Sequence, residues 1–465
     1  MATPLEVVQQ VYTFPFDSFF PEQVETINDL GALQKSGHWL DVGVGKTFTS
    51  TACALYHHII EGSATVVIMP PVLIRQWARW LAKIKPSPSV VEWRGTPTER
   101  RKLSLDRQFV LVGIQMFKKD YERFTEFFKD RSYAVIIDEA NALANIDSDQ
   151  HEKVYEFSVG HPAILLTGTP VGNPMHVYGL TKFTAPGVYR NFIQFCALHV
   201  EERDFFNNPS KFCNLDVLGE NIMKNAKRFL FSDVYRDVDE PLFIPINYDL
   251  EPKHLALYRK LASEQLLKLP EGGKIDATTA GKLLHALGQI VVNHSHFSGD
   301  DKDTSAAVDV VQETLDELGD GKVIVFSFYR LTTALLCKHF KKYGAVAIAG
   351  DVGPKQKDKN RDRFVDDPKC QLIVIQFASG GFGLDGLQHV CNDALFIEPC
   401  QQPSVFAQCV GRLKRTGQTK RVRIRCAIAE GTLHVRQFKA LLDKDQVVNQ
   451  IIRNGTDLRD MIYGN

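Results

Sequence analysis

Short apolar runs alternate along the chain with longer stretches whose apolar residues recur at helical spacing. Residues 64–70 (ATVVIMP), 109–114 (FVLVGI), 133–140 (YAVIIDEA) and 163–170 (AILLTGTP) are apolar along their length and close on polar or turn residues. A strand without polar alternation is buried on both faces, so these four predict a parallel sheet covered by helices. Residues 71–84 (PVLIRQWARWLAKI) place their apolar side chains at helical intervals, as a crossover helix would. This alternation predicts a doubly wound α/β lobe with ligands at the carboxyl ends of its strands. A second series follows at 322–329 (KVIVFSFY), 345–350 (AVAIAG), 370–378 (CQLIVIQFA), 393–399 (DALFIEP) and 421–430 (RVRIRCAIAE). Between the two, about 175–235 reads as helical and aromatic-rich, 241–250 (PLFIPINYDL) as a strand, and about 253–295 as helical. An amphipathic helix is predicted from about Thr432 to Arg453. The aromatic residues at 205–206 and 228–231 are expected in the core of the first helical insertion. No solenoid repeat or low-complexity tract interrupts the pattern.

Composition narrows the picture. A chain of 465 residues is too long for one core and fits two or three compact units. Hydrophobic residues at 44% and charged residues at 24% describe an ordinary globular protein. The 55 basic and 55 acidic side chains cancel, so any nucleic-acid surface must be a local groove. The nine cysteines are scattered, odd in number and without a C-x-x-C pair, which argues against a disulfide framework or zinc site and suits a reducing cytosol. The opening MATPLEVVQQ lacks a basic stretch leading into an apolar run, so no signal peptide is expected. No apolar run reaches the ~20 residues that span a bilayer.

Candidate chemistry begins at GVGKT (43–47). Its glycines let backbone N–H groups approach phosphate oxygens, and the helix that follows presents its positive end to them. Lys46 would reach the β- and γ-phosphates and Thr47 would ligate Mg²⁺. VIIDEAN (135–141) is an apolar strand ending in two carboxylates. Asp138 would hold the water shell of the metal, and Glu139 would orient or deprotonate the attacking water. QCVGRLKRTGQ (408–418) spaces Arg412 and Arg415 three apart, which places them on one helical face. Guanidiniums supplied there could neutralise charge developing on a γ-phosphate.

In order along the chain, these segments resemble the motors of helicase superfamily 2, and within it the SWI/SNF-type double-stranded DNA translocases. The resemblance covers residues from about 18 to 450. FFPEQ (19–23) is similar to the adenine motif of that family, with Gln23 as adenine reader and Phe20 as stacking partner. VVIMPPVLIRQW (66–77), with its proline and Trp77, resembles motif Ia; DEANALAN (138–145) resembles motif II; LLTGTPVGN (165–173), ending in Asn173, resembles motif III. FTAPGVY (183–189), LEPKHLALYRKL (250–261) and QIVVNHS (289–295) resemble connectors that most other helicases lack. KVIVFSFY, ASGGFGLDGLQ (378–388) and QCVGRLKRTGQTK resemble motifs IV, V and VI. The phosphate loop of the family reads D-E-M-G-x-G-K-T, and LDVGVGKT fits it with Leu40 and Asp41 in place of Asp and Glu. Other departures are Asn141 for a histidine that couples hydrolysis to DNA, Gln376 and Phe377 for hydroxyl residues, Asp385 for Asn, Gln401 for Trp, and Lys414 for His.

The resemblance implies two RecA-like doubly wound parallel-sheet lobes with helical insertions and a C-terminal brace helix. Lobe 1 would cover 1–190, an insertion and linker 191–240, the entry strand and insertion of lobe 2 241–304, lobe 2 305–430, and the brace and tail 431–465. ATP would contact Phe20, Gln23, Gly43, Val44, Gly45, Lys46, Thr47, Phe48, Gly383, Asp385 and Gln408, with Mg²⁺ at Thr47 and Asp138. Lys46, Asp138, Glu139, Arg412 and Arg415 form the implied hydrolytic set, the phosphates lying on lobe 1 and the arginines coming from lobe 2. DNA contacts are expected at Pro71, Arg75, Gln115, Thr167, Arg330, Ser379, Gly380 and Gly381, with charge added by Lys118 and Lys119. The expected function is a DNA-stimulated ATPase that moves along double-stranded DNA and remodels or branch-migrates branched DNA. In size and layout the chain is similar to phage branch-migration helicases, and a monomer in a bacterial or host-cell cytoplasm is expected, with no membrane partner. Two alternatives stay open: a strand-separating DNA or RNA helicase, although no aromatic hairpin stands between motifs V and VI, and an ATP-gated DNA clamp that hydrolyses weakly.

Overall fold

The computed structural model describes residues 2–236, 239–264, 266–268, 274–276, 279–298, 305–377 and 384–452. The chain divides into one unit of Met1–Arg236 with Val447–Gly455 and another of Asp237–Gln446 with Thr456–Asn465.

In the first unit the strands are β1 (Lys35–Leu40), β2 (Ala64–Met69), β3 (Val90–Trp93), β4 (Phe109–Gly113), β5 (Tyr133–Asp138), β6 (Ala163–Leu166), β7 (Val200–Arg203), β8 (Pro209–Phe212) and β9 (Ala226–Phe229). Seven of them form a sheet in the order β3-β4-β2-β5-β6-β1-β9. Every pairing in it is parallel. Alternate residues feed opposite cores, as a pleat dictates. Val66, Ile68, Val110, Val112, Val135, Ile137 and Leu165 pack to one side, and Val67, Met69, Leu111, Ile136 and Ile164 to the other. Burial on both faces explains why no polar alternation marks these strands.

The segment 175–235 departs from the expected all-helical reading. It holds the helices Met175–Thr184, Phe192–His199 and Leu215–Ile222, but also the antiparallel pair β7–β8 and the edge strand β9. Strand β9 runs parallel to β1, with Leu40 opposite Phe229. Trp39 is fully buried beside the same insertion, and its Nε1–H donates to the Ile222 carbonyl at 2.8 Å. Of the aromatic residues expected in the core, Phe231 is buried, whereas Phe205 and Phe206 are exposed. They lie at the tip of the β7–β8 hairpin, where no described element covers them.

In the second unit the strands are β10 (Leu242–Tyr248), β11 (Leu266–Lys268), β12 (Lys274–Asp276), β13 (Val323–Ser327), β14 (Val346–Ile348), β15 (Leu372–Gln376), β16 (Asp393–Phe396) and β17 (Arg423–Ala429). Six form a parallel sheet in the order β10-β17-β16-β13-β15-β14, and β11–β12 is a separate antiparallel pair. Strand β10 sits at the sheet edge, where Pro245 costs no ladder bond. The helix Leu433–Ile451 closes the described chain. Its last residues belong to the first unit, where Val448, Ile451 and Ile452 share a core cluster with Leu218 and Ile222. Among the described residues no helix is long and apolar enough to cross a membrane.

Glu398, just past β16, is a buried carboxyl that accepts the Phe328 amide N–H. Burial pushes its pKa from the ordinary 4.5 up to about 7, against the Phe328 amide and the Ser327 hydroxyl. Below the unfolded value both states hold the proton. As pH rises from there through the folded value, the folded state loses about 3 kcal/mol relative to the unfolded one. Glu398→Gln keeps the acceptor but cannot ionise. It is expected to abolish this loss, read as urea midpoints that differ less between about pH 5 and about pH 8 than in the parent protein.

Candidate nucleotide-binding site

The phosphate loop follows directly from β1. Gly43 and Gly45 take φ values of 88° and 96°, in the left-handed region that glycine enters freely, and the helix Lys46–Glu61 begins on the next residue. A Cβ at Gly45 would stand 2.4 Å from Gln23 Nε2, so the loop is also closed to side chains by contact. That amide donates to the Val44 carbonyl at 2.8 Å, and Gln23 Oε1 accepts the Phe20 N–H at 3.0 Å. Gln23 therefore ties the start of its own helix to the loop.

Lys46 curls back over the loop, with Nζ donating to the carbonyls of Leu40 at 2.9 Å and Asp41 at 3.2 Å. Burial lowers its pKa, and the nearby carboxylates Glu139, Asp138 and Asp41 oppose that fall. Asp138 ends β5, two strands from β1 across β6. Its Oδ2 accepts the Trp77 indole N–H at 2.8 Å and its Oδ1 the Glu139 amide at 3.0 Å. Burial raises the Asp138 pKa, while Trp77, Lys46 and the Glu139 amide pull it down. Glu139 has φ 54°. A left-handed non-glycine residue costs about 1–2 kcal/mol, and here it turns the chain sharply between two adjacent carboxylates. Thr47 lies in the first turn of the loop helix. A buried carboxylate and a helix-start hydroxyl are oxygen donors of the kind that can hold Mg²⁺ jointly with substrate phosphates, whereas the lysine can meet only the phosphates.

Around the loop, Phe48 packs on Trp80 with centroids 4.3 Å apart. Phe20 is 41% exposed and meets Tyr235 edge-on at 5.4 Å. Tyr235 in turn stacks on Phe231 at 4.4 Å. Sequence reading missed Tyr235, because it lies more than two hundred residues from Phe20. It also missed Arg228 on β9, whose Nη1 donates to the carbonyls of Trp39 at 2.9 Å and Gly168 at 3.0 Å. No local pattern marks Arg228, since its partners are backbone atoms of distant segments.

The expected DNA-side residues separate into two groups. Pro71 opens a short 3₁₀ turn after β2 and faces Gly113 at the end of β4, so the segments of Pro71 and Gln115 are neighbours. Arg75 and Gln115 are exposed, Gln115 Nε2 lying 3.5 Å from Gln150 Oε1. Lys119 is exposed, but Lys118 is paired with Asp149 at 2.7 Å. Thr167 does not fit its expected role. It is fully buried and its hydroxyl accepts the Thr169 amide at 3.1 Å, so the side chain faces inward.

In the second unit Arg330 is exposed at the start of the helix Arg330–His339. Gln408 is buried in the helix Pro403–Val410. That helix ends before the two arginines, so Arg412 and Arg415 stand on successive turns rather than on one helical face. Past Gly411 the amides of Arg412 and Leu413 bond three residues back instead of four, and Gly417 at φ 90° turns the chain again. Arg412 is buried. Arg415 Nη1 donates to Asp385 Oδ1 at 2.6 Å and to the Leu384 carbonyl at 3.4 Å. Ser379, Gly380, Gly381 and Gly383 lie outside the described residues.

Comparison with known proteins adds relatives to this geometry. The SNF2-related domain family matches residues 40–295, and the helicase conserved C-terminal domain matches residues 306–417. A chromodomain-helicase-DNA-binding protein 1-like protein of Danio rerio is 23% identical, over 89% of this chain and 42% of its own length. An uncharacterised ATP-dependent helicase of Mycoplasma pneumoniae is 22% identical over 89% of this chain and 40% of its own. The DNA repair protein rhp54 of Schizosaccharomyces pombe is 21% identical over 90% of this chain and 55% of its own. The chain thus spans about two fifths of the length of the first two relatives. A Sulfolobus solfataricus SWI2/SNF2 ATPase core in complex with dsDNA superposes with a TM-score of 0.44 at 19% identity, covering 95% of this chain and 98% of that one.

Gly45→Ala tests the loop. The new methyl would collide with Gln23 Nε2 at a strained φ. Affinity for a fluorescent ATP analogue is expected to fall at least about tenfold, equivalent to about 1.4 kcal/mol, with the far-UV circular dichroism spectrum unchanged.

Proposed function

This chain belongs to the SNF2-related family, and we propose that it is an ATP-driven motor that moves along double-stranded DNA and acts on branched DNA. The observation that carries this reading is the convergence of Gly43, Gly45, Lys46, Asp138 and Glu139 at the ends of β1 and β5. The amides of the glycine loop and the helix start would hold the ATP phosphates, and Lys46 would exchange the Leu40 and Asp41 carbonyls for phosphate oxygens. Glu139, turned away from the β5 direction by its left-handed backbone, would orient the attacking water and take its proton. Asp138, held by Trp77, and Thr47 would carry Mg²⁺, which when bound offsets negative charge on the β- and γ-phosphates. Arg412 and Arg415 are proposed to stabilise the charge of the transition state. Phe20, backed edge-on by Tyr235, would stack on the adenine next to Gln23.

DNA, rather than RNA, is supported by relatives whose names include DNA-binding and DNA repair. Pro71, Arg75 and Gln115 would contact the phosphate backbone without reading sequence. The Arg415–Asp385 pair favours a second reading, because a guanidinium already held by a carboxylate is a weaker phosphate ligand. On that reading, ATP binding gates a DNA clamp and hydrolysis is slow.

ATPase rates with single-stranded, duplex, forked and four-way DNA and with RNA separate these readings, together with displacement of a triplex-forming strand. A translocase displaces the third strand without unwinding the duplex. Lys46→Ala is expected to lower DNA-stimulated ATPase at least about a hundredfold, a loss of about 2.7 kcal/mol of transition-state stabilisation. Undiminished hydrolysis would reject the site, and robust unwinding of a tailed duplex or stimulation by RNA alone would reject the duplex motor. Tight DNA binding with ATP, but no stimulated turnover, would favour the clamp.

A further inference from the structure

Beyond the nucleotide site, the first unit presents an aromatic feature that no step above uses. The turn joining β7 and β8 carries Phe205 and Phe206, 97% and 78% exposed. Their rings stand 5.4 Å apart at 86° to each other. Single exposed apolar side chains are common, but two adjacent phenyl rings at the end of a hairpin form a compact apolar tip.

The tip is built to hold its shape. The Asp204 carboxylate accepts the amides of Phe206 at 2.9 Å and Asn208 at 2.8 Å, closing the turn around the rings. Asn207 adopts φ 63°, and its carbonyl accepts Arg203 Nη1 at 2.9 Å. The root is anchored as firmly. Cys213 N–H donates to the His199 carbonyl at 3.0 Å, and Asn214 Nδ2 to the Leu198 carbonyl at 2.7 Å. His199 is fully buried, and burial lowers its pKa. The neutral ring accepts the Tyr189 hydroxyl at 3.0 Å, and that hydroxyl accepts Asn221 Nδ2 at 2.9 Å. A hydrogen-bonded chain inside the unit therefore fixes where the hairpin points.

Both cations of the hairpin are engaged, and with Glu201, Glu202 and Asp204 against Arg203 and Lys211 the hairpin is net acidic. Lys211 pairs with Glu201 at 2.9 Å and Glu202 at 3.4 Å, Arg203 is turned onto the Asn207 carbonyl, and Asp204 is used by turn amides. Such a tip is poorly suited to phosphate, which calls for unpaired cations, and well suited to the flat apolar face of a base. Phenylalanine side chains inserted at a base step are a general means of wedging nucleic acid. In a continuous duplex every base face is stacked, so free faces occur where strands part.

The geometry points to Phe205 and Phe206 as an aromatic wedge that stacks on bases exposed at a DNA branch point. This rests on the DNA-motor reading and deepens it, since the wedge would let the protein distinguish branched from continuous duplex.

The test uses the full chain and a four-way junction with 2-aminopurine at the branch. Wild-type protein is expected to change the 2-aminopurine fluorescence at the branch and not in linear duplex. A Phe205→Ala, Phe206→Ala double variant alters only exposed side chains, so its fold should be retained. It is expected to lose the fluorescence change and to bind the junction about tenfold or more weakly, while ATPase stimulated by linear duplex stays at the wild-type level. Phe205→Trp, Phe206→Trp should restore both junction readouts. Unchanged junction binding and fluorescence in the alanine variant would overturn the wedge while leaving the motor standing. If linear duplex fails to stimulate wild-type ATPase, the motor reading itself fails and the wedge with it. Loss of self-association in the alanine variant, with the 2-aminopurine signal intact, would assign the tip to a second copy of the chain and also overturn the wedge.

Discussion

An ammonium and three carboxylates placed together inside a protein can persist only if each is held by the others or by aimed dipoles. That constraint organises the first unit. Lys46 is desolvated, yet Glu139, Asp138 and Asp41 keep it from shedding its proton easily, and the Leu40 and Asp41 carbonyls fill its donor positions. Asp138 is restrained in turn by an indole N–H from the helix after β2 and by the amide of its own successor. The parallel sheet makes this possible, because it delivers β1 and β5 with their carboxyl ends on the same side.

The loop is also braced from below and behind. Gln23 spans from an N-terminal helix to the Val44 carbonyl, and Arg228 reaches from β9 to carbonyls next to the loop. Neither contact is to a charged partner; both are to backbone oxygens. The candidate nucleotide site is thus supported by segments from near both ends of the unit.

Much of this was legible in the sequence. Runs such as VVIM and AVIID announce buried parallel strands because both faces must be apolar, and the fold brings GVGKT and DEAN to the carboxyl ends of β1 and β5. What escaped detection has a physical explanation. Strand β9 (AKRF) is short and partly polar, since an edge strand is not enclosed as a central one is. Arg228 and Tyr235 act through contacts distant in sequence. Arg412 and Arg415 fit a helical spacing, but the helix closes at Val410 and the chain tightens into turns beyond it. Hydrophobicity argued for burying Phe205 and Phe206, but the two-residue aromatic tip follows from the Asp204 turn, whose geometry no periodicity reveals.

The return of β9 has a consequence for modular engineering of this chain. Because β9 closes the sheet beside β1, the insertion between the helix ending at Thr184 and Phe229 is not a detachable cassette. Excising it would leave the loop-bearing strand as a bare edge, with unpaired backbone groups open to other chains. Residues at the hairpin tip can be exchanged between proteins as a graft; the scaffold beneath them must travel whole.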